Sequence, residues 1–85
     1  MENEGKLRQD IDRGEKAQAL LRNEILIETF DLLEKQYHDA WENSSVDQAE
    51  AREKVFMMLQ NLHTVRQHIE SVVMTGKLAN DRLTN

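Results

Sequence analysis

The chain holds three imidazoles, His38, His63 and His68, and these are the side chains best suited to bind a metal or move a proton near neutral pH. Their spacing does not serve either task. On a helix of ~3.6 residues per turn, His63 and His68 point ~140° apart, whereas a helical zinc pair needs two histidines on one face. Carboxylate chemistry meets the same obstacle. Di-iron bundles set a glutamate three residues before a histidine, and here Glu34 precedes His38 by four, the spacing of a hydrogen-bonded pair on a helix surface. Glu24, Glu28 and Asp31 fall along one helix face and read as a solvated stripe. Thr75-Gly76-Lys77 has the lysine of a phosphate loop without its first glycine, its preceding strand or the hydroxyl after the lysine. Cysteine is absent, which excludes thiolate ligands, thiol nucleophiles and disulfides. No catalytic, cofactor-binding or metal site is therefore expected, and the chain reads as a non-enzyme.

Charge points the same way. The net charge of −5 is uneven: positions 15–43 hold seven acids against three bases, and positions 46–85 hold five of each. Binding to phosphate backbones depends on clustered Lys and Arg. The best that this sequence offers is a weakly basic strip, His63, Arg66, Lys77 and Arg82, and Arg66 has Glu70 one turn away to pair with. Nucleic acid is thus a minor expectation, kept open because an oligomeric ring would multiply the strip.

Helices must position these groups. Proline is absent and glycine occurs only at Gly5, Gly14 and Gly76, so the usual interruptions are scarce. Residues 1–14 are polar, with Leu7 and Ile11 four apart, and read as a flexible arm that Gly14 separates from the rest. Asp12 and Glu15 have capping spacing, which predicts a helix from about Glu15 to Glu42. Its stripe is Leu26, Phe30, Leu33, Tyr37 and Ala40 or Trp41, with Leu20, Leu21, Ile25, Ile27 and Leu32 spreading apolar surface round the other sides. Asn43-Ser44-Ser45 marks a turn, and Ser45 and Gln48 have the spacing of a capping box. A second helix is predicted from about Val46 to at least Thr75. Val55, Met58, Leu62, Val65, Ile69 and Val72 alternate steps of three and four, the period of a coiled-coil seam. The register runs on through Gly76, Ala79 and Leu83. Gly76 either caps the helix or marks a close backbone approach; the expectation is a break, with Lys77 to Leu83 as a short further helix.

The predicted fold is all-α: an antiparallel helical hairpin over 15–85 with the 1–14 arm in front. A two-helix hairpin cannot cover both sides of such stripes, and monomers seldom expose the apolar patch that remains. Assembly into a helical bundle, a homodimer first, is the simplest cover; a protein partner is the other. The eleven stripe residues Leu26, Phe30, Leu33, Tyr37, Trp41, Val55, Met58, Leu62, Val65, Ile69 and Val72 are the expected interface. No apolar run approaches the ~20 residues needed to span a bilayer, and Met1 to Asp12 lacks the pattern of a secretory signal. A cytoplasmic location is expected.

Four short segments, Ala19-Leu20-Leu21, Tyr37-x-x-x-Trp41, Ala51-Arg52-Glu53 and Gly76-Lys77-Leu78-Ala79, carry a resemblance to small uncharacterised helical proteins of tailed bacteriophages and prophages. The resemblance implies a helical oligomer used in virion assembly, DNA packaging (in the manner of a small terminase) or inhibition of a host protein, located in the bacterial host cytoplasm or the virion. It brings no catalytic residue with it.

Overall fold

The computed structural model describes residues 3–84. They form three helices, α1 (Glu4–Leu21), α2 (Glu24–Glu42) and α3 (Ala49–Thr84), and no strand occurs among the described residues. The fold is all-α, as the composition and periodicity predict. The helix boundaries differ from expectation at four places.

α1 begins at the supposed arm. Asn3 is its N-cap, in extended conformation, and its side-chain oxygen accepts from the backbone N–H groups of Gly5 at 2.9 Å and Lys6 at 3.4 Å. This satisfies two of the orphan donors of the first turn. Glu4–Arg8, Lys6–Asp10 and Asp12–Lys16 then make i,i+4 ion pairs along the surface. Asp12, read as a cap, lies inside the helix, and α1 runs straight through Gly14. The elements divide at Arg22–Asn23 instead. Arg22 still donates to the Gln18 and Ala19 carbonyls, at 3.1 and 3.3 Å, and Asn23 donates to Leu20 at 3.0 Å. The last turn of α1 is therefore completed before α2 starts.

The second connection keeps one bond of the predicted capping box but not the cap, because Ser45 and Gln48 pair within the turn that precedes α3. The Gln48 side chain accepts from the Ser45 backbone N–H at 3.0 Å, and the Ser45 hydroxyl donates to the Asp47 carboxylate. Val46 and Asp47 belong to the turn, so α3 begins at Ala49 rather than Val46. α3 then continues without a break past Gly76 to Thr84. Its 36 residues extend about 54 Å.

These helices make two compact units. The first joins α1 with the part of α3 from Gln67 onward; the second comprises Glu24–Arg66, that is, α2 and the first half of α3. In the first unit the helices meet at their glycines. A Cβ placed on Gly14 would lie 2.9 Å from the Gly76 Cα and 3.3 Å from the Val72 carbonyl oxygen, and one on Gly76 would lie 2.9 Å from the Asp10 carbonyl oxygen. Only hydrogen at both positions permits this approach. Gly76 thus follows the second of its two sequence readings, the close approach, and the helix has no reason to end there. Ala17 and Ala79 flank the crossing and are buried, because small side chains are what two backbones this close can accommodate.

In the second unit the buried centre is Phe30 of α2 and Leu62 of α3, with Leu26, Leu33, Tyr37, Val55 and Leu59 half-buried around them. Late residues of α2 meet early residues of α3: Trp41 stacks with Arg52, and Phe30 with Arg66.

Candidate interaction surface

Glu34 organises the polar edge of the second unit. One carboxylate oxygen lies 3.5 Å from His63 Nε2 and 3.9 Å from His38 Nε2, and the other lies 3.9 Å from Arg66 Nη1. The expected Glu34–His38 hydrogen bond is too long at this distance, since the carboxylate is drawn towards α3. Arg66 does not look to Glu70; its guanidinium sits over the Phe30 ring, 4.9 Å from the centroid, and reaches Glu34. At the turn end, Arg52 stacks on the Trp41 ring at 4.0 Å, and its Nε has no hydrogen-bond partner.

This geometry takes the basic strip apart. His63 and Arg66 are half-buried against an acid. Lys77 and Arg82 are exposed and belong to the first unit, whereas His63 and Arg66 belong to the second. The acidic stripe stands as read: Glu24, Glu28 and Asp31 are all exposed. Among the described residues no group of three or more His, Asp or Glu side chains is arranged to hold a metal ion, and no helix is long and apolar enough to cross a membrane.

The eleven expected interface residues divide into three sets. Phe30 and Leu62 are buried within the second unit. Leu26, Leu33, Tyr37, Val55, Ile69 and Val72 are half-buried. Trp41, Met58 and Val65 are exposed, at 42%, 48% and 52%. The last two correct the predicted seam. In the second unit α3 turns Leu59 and Arg66 inward in place of Met58 and Val65, because the stem of Arg66 covers Phe30 while its head satisfies Glu34. Met58 and Val65 then line an open groove with Tyr37, Asn61 and Leu62.

More apolar surface is uncovered than the stripe alone foretold. On α2, Ile25, Ile27 and Leu32 are exposed, in line with the circumferential apolarity of that helix. Val46 and Phe56, with Trp41, edge a second shallow groove beside the turn. Neither Phe56 nor Val46 lies on a periodic stripe, so periodicity does not find them, although an apolar side chain in a polar turn is itself a signal. In the first unit Leu20, Met74 and Leu78 are exposed. Comparisons of the chain with protein-family models, with curated proteins and with solved structures give no match.

Proposed function

We propose that this chain is a non-enzymatic interaction and assembly protein, with an antiparallel α2–α3 hairpin, that associates with copies of itself through apolar helix faces. The observation that carries the reading is uncovered area. The chain exposes 6711 Å², where a folded monomer of 10.0 kDa has about 5,200 Å². The excess, about 1,500 Å² on one chain, is nearly twice the roughly 800 Å² that each partner gives up in a standard interface. Much of it is large and apolar, from Ile25 and Leu32 on α2 to Phe56, Met57, Met58 and Val65 on α3. Apolar surface of that extent marks an interaction site.

The resemblance to phage proteins supplies the setting, a small helical component of virion assembly. Inhibition of a host protein is the second reading, favoured by the exposed acids Glu24, Glu28 and Asp31 standing beside Ile25, Ile27 and Leu32, a face that suits a basic apolar groove. The DNA-packaging reading loses support, because His63 and Arg66 are engaged with Glu34. Light scattering of the purified chain at micromolar concentration tests the main reading: a dimer or higher assembly is expected, and a monomer refutes self-association.

A further inference from the structure

α2 and α3 build the same contact twice, and only once is it complete. Both contacts lie in the second unit. In the first, the Arg66 guanidinium sits 4.9 Å from the centroid of the Phe30 ring, and its Nη1 lies 3.9 Å from the Glu34 carboxylate. In the second, the Arg52 guanidinium sits 4.0 Å from the centroid of the Trp41 ring. Trp41 follows Phe30 by about three helical turns and Arg52 precedes Arg66 by about four, so the two rings share a face of α2 and the two arginines a face of α3.

The second contact lacks its acid. Glu34 stands one turn after Phe30. The same place after Trp41 belongs to Ser45, which lies in the turn beyond the end of α2 at Glu42. Ser45 carries no charge, and its hydroxyl is given to Asp47. Glu50 pairs with Lys54, and Glu53, next to Arg52 on α3, points ~100° away from it. Arg52 Nε is closed to water and has no hydrogen-bond partner, the one such side-chain atom among the described residues. An unbonded donor in a dry place is destabilising, and native structures keep few of them.

The surroundings select the kind of acid. Beside Arg52 and Trp41, the groove is walled by Val46, Ala49, Glu53 and Phe56. Val46 is 86% exposed and Phe56 51%, so large apolar side chains stand uncovered next to an unpaired cation. An inorganic anion or a nucleic-acid phosphate would satisfy the guanidinium and leave this apolar wall in water. A peptide that sets a carboxylate beside a large apolar side chain covers both. The groove is shallow, which suits a segment of chain better than a small molecule, whose sites enclose most of the ligand.

We propose that this groove docks a segment of a partner protein in which a carboxylate stands beside a large apolar side chain, the carboxylate taking Arg52 as Glu34 takes Arg66. Stacking fixes the plane of a guanidinium more than its rotation in that plane, so a small turn lets Nε and one Nη share the two carboxylate oxygens. The apolar side chain covers Val46 and Phe56. The proposal does not rest on self-association: a monomer in light scattering leaves this groove as it is.

Two blocked peptides test it, acetyl-Leu-Asp-Leu-Phe-amide and the same sequence with Asn for Asp. Neither contains tryptophan, so the emission of Trp41, the chain's one tryptophan, reports binding to the intact chain. The Arg52 Nε–H cross-peak in an NMR spectrum reports it at the cation. At low salt the acidic peptide should bind about 10-fold more tightly than the neutral one, and high salt should remove most of that advantage. Arg52→Gln should erase the difference while helicity by circular dichroism persists. Should that variant unfold, the wild-type cross-peak decides: the acidic peptide shifts it and the neutral one does not. Phe56→Ser, at an exposed position, should weaken both peptides alike. The proposal is overturned if neither peptide binds at millimolar concentration, if the two bind equally, or if the difference survives Arg52→Gln. It is equally overturned if the Trp41 and Arg52 signals move with the concentration of the chain alone, which gives the groove to a second copy.

Discussion

Gly76→Ala poses two physical effects of known size against each other. Helix propensity favours the change: alanine in a helix interior is about 1 kcal/mol better than glycine, and α3 passes through Gly76 without a break. Packing opposes it. The new Cβ would stand 2.9 Å from both the Asp10 carbonyl oxygen and the Gly14 Cα, whereas ordinary contacts of carbon begin near 3.5 Å. Those atoms are backbone, so no side-chain rotation relieves the clash; α1 must move back by about half an ångström or more along its contact with α3. Overpacking of this kind costs about 1–3 kcal/mol, and displacement also loosens Ala17 and Ala79, which the crossing buries. The net expectation is destabilisation of about 1 kcal/mol for either Gly14→Ala or Gly76→Ala. The double variant sets two Cβ atoms face to face and should lose more than the sum. Urea denaturation followed by circular dichroism measures the total, and amide hydrogen exchange localises it: protection should fall along α1 and residues 69–83 while α2 keeps its own. Gly5→Ala is the control, since a Cβ there meets only the Asn3 side chain, at 3.2 Å. If Gly76→Ala instead stabilises the chain by about the propensity increment, the close crossing is not what holds α1 to α3.

Other expectations concern the second unit. Leu62→Asp should unfold the chain rather than merely separate copies, because Leu62 is buried within one copy; circular dichroism showing full helicity would contradict its core position. Arg52→Ala should shift the emission of Trp41, the chain's one tryptophan, and cost about 0.5–1 kcal/mol for the lost stacking; an unchanged spectrum refutes the contact. Glu34→Gln should cost about 0.5–1 kcal/mol at low ionic strength and less in high salt, as befits a half-exposed cluster, which paired denaturation curves would show. The Asp47 carboxyl is held below the ordinary carboxylate range, chiefly by the Ser45 hydroxyl and then by a backbone hydrogen bond. A lowered folded-state pKa adds stability that is present above the unfolded value and is lost as pH falls through the folded one. Ser45→Ala should therefore raise the Asp47 titration midpoint in a carboxyl NMR titration, and an unmoved midpoint would rule out the bond.

Local chemistry is legible in this sequence wherever one helix face decides it. Leu26, Phe30, Leu33 and Tyr37 are the inner face of α2, and Val55, Leu62, Ile69, Val72, Ala79 and Leu83 lie on the inner side of α3. Ser45 and Gln48 do pair, in the turn before α3 rather than as its cap. What the sequence did not disclose depends on partners far along the chain. Gly14 looks like a weak point in a polar arm until Gly76 is known to lie against it. Met58 and Val65 look like seam residues until an arginine, polar by type but with a long aliphatic stem, takes the inner place over Phe30. The division at Arg22–Asn23 has one sign in the sequence, an asparagine just before Glu24, a residue type favoured at N-caps, while Leu21 and Ile25 carry the apolar pattern across it.

That division has a consequence for how α1 and α2 are held. Neither glycine nor proline stands at Arg22–Asn23, Arg22 keeps right-handed helical torsions, and the backbone bonds of α1 continue into Asn23. What separates α1 from α2 is therefore the neighbour each meets: α1 packs with α3 from Gln67 onward, and α2 with the residues of α3 before it. Both helices precede in the chain the one helix that each of them needs as a partner.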